Sequence, residues 1–547
     1  MTPPNAQLAQ LTKDFWHWRA RTQSDSFDDI PRVDRPAGWT SDWSAAAVAA
    51  RRSRLDGFSR RYQALDLGDE SVPVRVNGRL LESALARVHW ELDLLSGWRR
   101  NPCFYIDQSL IPVFNLLLPP PPFDGARAAA IIENLANVPR VLAQARTNLL
   151  GHAAEPFATQ ALKLLAESAE RLEEAMASLA PLLPQLHARA LPTVTQEAAR
   201  QLTAFQDWLQ DQDHPGEAAV GEQALNFFLH KVALLPYTPQ QMRVMARQEH
   251  HRSVAAEAIA RRQSRRSQQR SAPQEQNYIG LQHSQERAVR RFYAEQGILR
   301  LPEDLRHYRF EPVPSYLEPL TWLGVPHYIT SQASAGEDAV RYVRAPEPGL
   351  SYFQQAKVLD PRTGIVHEGV HAHQLAWSWQ HPDPARRNFY DSAPNEGLAF
   401  YHEELMLLSG LFADSPASAV FMANSMRLRA LRVETDLGLA AGDLTLGEAA
   451  DLLVTMVPLD GETAWQEAVF FAGNPGQGLS YQIGKLQILD LLSASERELD
   501  DFDLQAFHER LWREGNIPIA LQRWEFLGLR DHLDEADRLA GAGRPLR

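Results

Sequence analysis

The chain has 547 residues, a formal net charge of −13, 44% hydrophobic residues and 22% charged residues. This composition is ordinary for a globular protein, the length predicts two to four domains, and the acidic balance argues against a nucleic-acid-binding surface, which needs a concentrated basic patch. The single cysteine, Cys103, excludes intramolecular disulfides and zinc clusters built from several thiolates.

The sequence contains no recognisable targeting segment. No run of about 18 apolar residues predicts a membrane span. The first residues show no basic segment followed by an apolar one, as a signal peptide would. We therefore expect no membrane partner and a cytoplasmic location, while the oligomeric state has no signal in the sequence.

Amphipathic periodicity dominates the first part of the chain. Apolar residues recur at three- and four-residue steps, as on one face of a helix, over 81–98, 125–150, 157–188, 195–211 and 216–234. Prolines at 119–122 and 192 are expected to separate these helices. We predict an N-terminal helical lobe over residues 1–240.

A charged segment over 241–300 follows and is predicted to be a helical or loop connector. Its one strong basic run covers 261–270. A site for an anionic partner is one interpretation. A solvated helix face or a mobile loop is favoured, because no aromatic residues are interleaved with the charges.

The remaining residues, 301–547, are predicted to form the catalytic lobe. Short segments rich in tyrosine and β-branched residues, at 307–314, 325–331 and 339–346, predict strands of a small sheet. Helical periodicity returns after 364. The expected fold is therefore mainly α, with a small β-sheet directly before the next motif.

His367, Glu368 and His371 form an H-E-x-x-H motif within a helical pattern. Residues four apart lie one turn apart on nearly the same helix face, so the two imidazoles can converge on one cation. Glu368 lies between them, where it can reach a water molecule activated by the metal and act as general base. The motif predicts one Zn²⁺ per chain. Two histidines satisfied by ordinary hydrogen bonds are the structural alternative.

A third ligand is required for such a site. A histidine ten residues after His367 would complete one known pattern, but that position is Trp377, and His373 points to the opposite helix face. Glu396, on a later predicted helix, would complete a His₂Glu set. Its alternative role is an exposed acid favoured by the helix dipole. Glu403 shares its helical face and is a candidate for orienting a ligand imidazole.

Three segments in this order resemble the bacterial domain of unknown function 885 family: the motif at 367–371, the residues E-G-L-A-F-Y-H-E from Glu396, and N-P-G-Q-G-L-S-Y-Q-I-G-K-L at 474–486. That family is similar to gluzincin metallopeptidases such as thimet oligopeptidase and carboxypeptidase Taq. The resemblance implies a two-lobed helical gluzincin-like fold, with His367, His371 and Glu396 as ligands and Glu368 as base.

The resemblance also implies roles for later residues. Tyr481 would stabilise an oxyanion, or else be a buried aromatic residue whose hydroxyl caps a backbone group. Arg432 would bind a substrate carboxylate, or else pair with Asp436 one helical turn away. Gln477 and Lys485 are further candidates for substrate contact.

Two departures from the family pattern bear on function. Alanine stands at 440 where the family often has histidine, and Phe470 or Phe471 stands where it commonly has arginine. The first hypothesis is a zinc-dependent hydrolase of peptide bonds in short peptides. The second is a zinc-dependent amide hydrolase or tailoring enzyme for a specialised small molecule. The third is a non-catalytic helical binding protein, which would have no need of a general base between two ligands.

Overall fold

The computed structural model describes residues 3–26, 33–264, 277–303, 305, 308–329, 336–347 and 349–542. Helices dominate these ranges, and a small sheet interrupts them. The predicted fold class, mainly α with a small sheet, is confirmed. None of the helices in these ranges is long and apolar enough to cross a membrane.

The helices of the first half are α1 Pro4–Thr22, α2 Ala45–Gln63, α3 Val72–His89, α4 Gly97–Arg100, α5 Pro102–Leu117, α6 Gly125–Leu149, α7 Glu155–Leu179, α8 Gln185–Gln210, α9 Glu222–Phe227, α10 Pro239–Ser264 and α11 Tyr278–Glu295. Those of the second half are α12 Tyr352–Leu359, α13 Arg362–Ser378, α14 Pro384–Arg387, α15 Ser392–Leu408, α16 Pro416–Ala441, α17 Leu446–Met456, α18 Gly461–Gly473, α19 Gln477–Glu498, α20 Leu504–Arg513, α21 Ile519–Leu527 and α22 Asp531–Ala542. Turns of π-helix cover Trp90–Leu95 and Phe228–Val232, and 3₁₀ turns cover Ala180–Leu182 and Glu318–Leu323.

The N-terminal helices pack through the apolar faces that the periodicity predicted. Helices α5 to α8 contact one another around one large core. The expectation that Pro192 separates two helices is wrong, because it lies inside α8. Leu191 and Leu202 of that helix are buried, and this packing outweighs the one backbone hydrogen bond that proline removes.

The sheet has the order β1-β3-β2, with β1 Tyr308–Pro312, β2 His327–Tyr328 and β3 Ala339–Val343. Strand β3 pairs with β1 in parallel and with β2 in antiparallel orientation. All three predicted strands are confirmed. The sheet lies beside α13, where the ring of Tyr308 meets that of His373 with centroids 5.9 Å apart.

The segment predicted as a connector contains two long helices. Helix α10 packs along α16, and α11 packs on α13 and β1. Residues 261–264 of the basic run end α10, where Arg261 pairs with Glu257, and residues 265–270 lie outside the described residues. The domain boundaries at 240 and 300 stay a prediction.

Two glycines determine how closely α15 and α19 approach. A Cβ atom on Gly397 would lie 2.6 Å from the backbone of Gly484, and one on Gly484 would lie 2.0 Å from the carbonyl oxygen of Ala393. No side chain fits at either position without moving the backbone. Since Glu396 precedes Gly397 and Tyr481 lies one turn before Gly484, this contact places both residues at the same crossing.

Candidate metal centre

A buried acid fixes the start of α13. Asp360 accepts hydrogen bonds from Arg362 Nε at 2.9 Å and Nη2 at 2.7 Å, and from Ser418 Oγ of α16 at 2.7 Å. These contacts connect α13 to α16. The regular helix that follows brings the two histidines of the motif to one face, one turn apart.

His367, His371 and Glu396 converge, and we call these three residues the metal triad. The two Nε2 atoms are 3.2 Å apart, and Glu396 Oε2 lies 3.3 Å from that of His367 and 3.5 Å from that of His371. One ligand atom from each residue falls within 4.8 Å of the others. Glu396 is buried, so its alternative role as an exposed acid is wrong.

The donor set fits a divalent metal ion. Two imidazole nitrogens and one carboxylate oxygen are the ligands of a hydrolytic zinc site with an open position. Within the described part of the chain, Glu396 Oε2 is buried without a hydrogen-bond partner of regular geometry. An unsatisfied buried carboxylate oxygen costs free energy, which a bound cation would offset.

Glu403 contacts His367 on the side of the imidazole opposite Glu396. Its Oε1 atom lies 2.8 Å from His367 Nδ1 and 3.5 Å from Arg429 Nη2, and Ser425 donates to its Oε2 at 3.3 Å. Burial disfavours the charged imidazole, but the carboxylates of Glu396 and Glu403 outweigh it and raise the pKa of His367 to about 9. With Glu403 at Nδ1, Nε2 is the nitrogen that faces His371 and Glu396.

Glu368 extends from α13 toward the sheet, and cationic side chains surround its carboxylate. Arg341 Nη1 of β3 lies 2.8 Å from its Oε2, and Lys357 Nζ of α12 lies 3.8 Å from its Oε1. Burial favours the protonated acid, but Arg341 and Lys357 outweigh burial and hold the pKa of Glu368 well below its usual value. The carboxylate is therefore ionised at neutral pH.

A cavity of about 240 Å³, here called the polar cavity, opens beside this helix. His367, Glu368 and Tyr481 line it. The ring of Tyr481 lies parallel to that of His367, with centroids 6.1 Å apart, and the guanidinium of Arg432 lies 4.8 Å from the Tyr481 ring. Glu368, the candidate base, and Tyr481, the candidate for oxyanion stabilisation, therefore face one space.

Arg432 reaches the polar cavity but does not pair with Asp436. Its Nε donates to Glu467 Oε2 at 3.1 Å, and its Nη2 also contacts Glu467. Asp436 instead accepts from the backbone N–H groups of Gly476, at 3.0 Å, and Leu479, at 2.9 Å. It therefore stabilises the start of α19, and burial raises its pKa to about 7.

Lys485 and Gln477, the other candidates for substrate contact, differ in position. Lys485 is buried and pairs with Glu249 at 2.6 Å and Glu404 at 2.7 Å, away from the polar cavity. Gln477 accepts a hydrogen bond from Ser392 Oγ at 2.5 Å. Lys485 thus links α10, α15 and α19, while Gln477 lies at the first turn of α19.

His373 and Ala440 are both buried in the described structure. His373 Nε2 lies 3.1 Å from Glu286 Oε1 of α11, which is consistent with its exclusion as a ligand. Ala440 packs near Leu479 and Ile483 in a core cluster. Neither side chain lines the polar cavity.

Sequence reasoning missed Arg341, Lys357 and Glu467. Arg341 shares one face of β3 with Ala339 and Val343. The available signal was a charged residue in an otherwise apolar strand next to the predicted metal-binding helix. The helix that carries Lys357 was also missed, although Ser351 and Gln354 form a capping box at its start.

Two solved structures and one family model match most of this chain. A structure of a proposed lipoprotein of unknown function from Shewanella oneidensis is similar over 96% of this chain and 100% of its own, with a TM-score of 0.69 and 15% identity. A proposed lipoprotein from Colwellia psychrerythraea is similar over 98% of this chain and 100% of its own, with a TM-score of 0.68 and 17% identity. No curated protein matches the sequence significantly. The family model described as bacterial protein of unknown function (DUF885) matches residues 32–524, and the chain therefore belongs to that family.

Proposed function

We propose that this protein is a zinc-dependent hydrolase that cleaves peptide bonds in short peptides, with a gluzincin-like arrangement of its two helical lobes. The observation that carries the proposal is the convergence of the metal triad, whose Nε2 and Oε2 atoms lie 3.2–3.5 Å apart. An ionised glutamate, Glu368, lies on the helix that carries the two histidines. A purely structural zinc site has no use for that glutamate or for an adjoining cavity.

His367, His371 and Glu396 would hold the metal, and Glu403 would orient His367. A bound zinc ion supplies a Lewis acid that makes water a nucleophile near neutral pH and polarises a carbonyl group. Glu368 takes the proton from the attacking water and delivers it to the leaving amine. Tyr481 and Arg432 lie on the same cavity, where donors stabilise developing negative charge.

The cations around Glu368 affect both its ionisation and its strength as a base. Arg341 keeps the carboxylate ionised and directs it, at the cost of some basicity. A substrate group that draws Arg341 away would raise the basicity of Glu368 as the complex forms. The polar cavity, at about 240 Å³, suits a short peptide segment rather than a folded protein.

The proposal is tested by cleavage of a mixed peptide pool with the wild-type protein and Glu368→Gln. The isosteric amide cannot accept the proton, so we expect equal zinc content and a loss of turnover by several orders of magnitude. Equal turnover would overturn the role of Glu368. Zinc binding without cleavage of any peptide would overturn the peptidase proposal, and cleavage of small amides alone would favour the tailoring enzyme.

A further inference from the structure

A second cavity, of about 290 Å³, lies against the same helices as the polar cavity. Its lining includes the aromatic residues Trp16, Trp90, Phe228, Trp379, Phe389 and Phe470. We call it the aromatic cavity. Charged residues, among them Arg19, Arg87 and Glu91, line the same space. A concave site of this size that combines aromatic rings with polar groups is suited to a small ligand.

Three helices run past both cavities. On α15, Ser392 lines the aromatic cavity, the metal ligand Glu396 follows one turn later, and Glu403 lines the polar cavity. On α19, Gln477 lines the first and Tyr481 the second. Along α15, the two cavities therefore lie on opposite sides of Glu396.

Helix α18 repeats this order in the reverse direction. Phe470 lines the aromatic cavity, and Glu467, about one turn earlier, lines the polar cavity. All three helices thus connect the aromatic cavity to the polar cavity, and α15 carries the triad residue Glu396 between them. A hydrogen bond of 2.5 Å from Ser392 Oγ to Gln477 joins α15 and α19 in the wall of the aromatic cavity.

One cationic group in the aromatic cavity is incompletely satisfied. The Nε and Nη2 atoms of Arg87, on α3, are buried without a hydrogen-bond partner in the described residues. The nearest ion pair is long, with Nη2 3.9 Å from Asp391 Oδ2. By contrast, Arg19 in the same cavity pairs with Glu91 at 2.9 Å. Unsatisfied guanidinium donors are suited to a carboxylate from a ligand.

We propose that the aromatic cavity is the second half of the substrate cleft and binds an aromatic residue whose carboxylate pairs with Arg87. This inference rests on the proposed function and narrows its substrates to short peptides that carry an aromatic residue with a free carboxylate. The rings supply apolar area for the side chain, and Arg87 supplies charge-assisted hydrogen bonds.

The test is calorimetric titration of the full chain as isolated with N-acetyl-L-phenylalanine, N-acetyl-L-alanine and N-acetyl-L-phenylalaninamide. We expect the phenylalanine acid to bind at least about tenfold more tightly than the alanine acid, since a benzyl group is buried. Arg87→Gln should weaken the phenylalanine acid about ten- to a hundredfold and leave the amide unchanged. Arg75→Gln, the same change on the same helix outside the cavity, is the matched control.

A second variant guards against a folding effect of the first. Phe470→Ala should weaken the phenylalanine acid and amide alike and bring both nearer to the alanine acid. Equal binding of the phenylalanine and alanine acids, no binding at all, or equal effects of the Arg87 and Arg75 changes would overturn the inference.

This experiment separates the two proposals. Selective binding by a protein that cleaves no peptide would leave the ligand site standing and remove the hydrolase. Peptide cleavage without preference for an aromatic residue, together with unselective binding, would remove the site and leave the hydrolase.

Discussion

The crossing of α15 and α19 gives the sharpest test of how packing builds the metal triad. In Gly484→Ala the new Cβ would lie 2.0 Å from the Ala393 carbonyl oxygen and 2.9 Å from Gly397 Cα. Ordinary contact needs more than about 3 Å, so the helices must separate by on the order of 1 Å. Overpacking of this kind costs about 1–3 kcal/mol of the free energy of unfolding.

The same displacement moves Glu396 relative to the two histidines on α13. Because the triad atoms lie 3.2–3.5 Å apart, a shift on the order of 1 Å spoils their geometry for one cation. We expect Gly484→Ala to lower the melting temperature and to weaken zinc binding in competition with a chromophoric chelator.

Gly447→Ala is the matched control for this prediction. Gly447 is an exposed helical position of α17, where a Cβ atom would meet nothing within 4 Å. Alanine should therefore leave zinc binding unchanged and raise stability by up to about 1 kcal/mol. If Gly484→Ala matched this control in both melting temperature and zinc affinity, the close helix contact would not be what positions Glu396.

Three further predictions concern the supporting residues. Glu403→Gln removes the charge beside His367 Nδ1 and should weaken zinc affinity about 10- to 100-fold in chelator competition. Glu404→Gln, the same change at the next residue of α15, should leave zinc affinity unchanged. Equal affinities of the two variants would exclude a role of Glu403 in orienting His367. Lys485→Met removes the buried cation from Glu249 and Glu404 and leaves Arg252 paired with both of them. It should therefore lower the free energy of unfolding by about 1.5–3 kcal/mol in denaturant titration, and unchanged stability would refute the structural assignment of Lys485. Because the pKa of metal-free His367 is raised to about 9, zinc must displace a proton below that pH, so affinity should rise up to about tenfold per pH unit and level off above pH 9. The stability of the metal-free protein should depend on pH in the opposite sense. Protonated His367 stabilises the fold below the pKa of an unfolded histidine, and this contribution is lost as pH rises through about 9. Zinc affinity that is independent of pH between 6 and 9 would contradict the assignment of His367.

The metal triad was predictable because its information is local. Four-residue spacing on a helix fixes the relation of His367 to His371 whatever the rest of the chain does. Glu396 needed only a second helix with its acid on the inner face. The three strands were recognisable in the same way, from short alternating segments between turn residues.

The surroundings of the triad depend on contacts far apart in sequence. Arg341 reaches Glu368 only because the sheet packs on α13, and Arg432 meets Glu467 rather than Asp436 because α18 crosses α16. The sequence made Lys485 a candidate for substrate contact, but in the structure it pairs with Glu249 of α10. Pairings of this kind follow from tertiary packing, which periodicity does not encode.

Elemental analysis of the purified protein after incubation with zinc and desalting tests the metal centre most directly. We predict one zinc ion per chain for the wild-type protein and none for His371→Ala, which removes one of the three ligands. Stoichiometric zinc retained by His371→Ala, or none bound by the wild-type chain, would contradict a cation held by His367, His371 and Glu396.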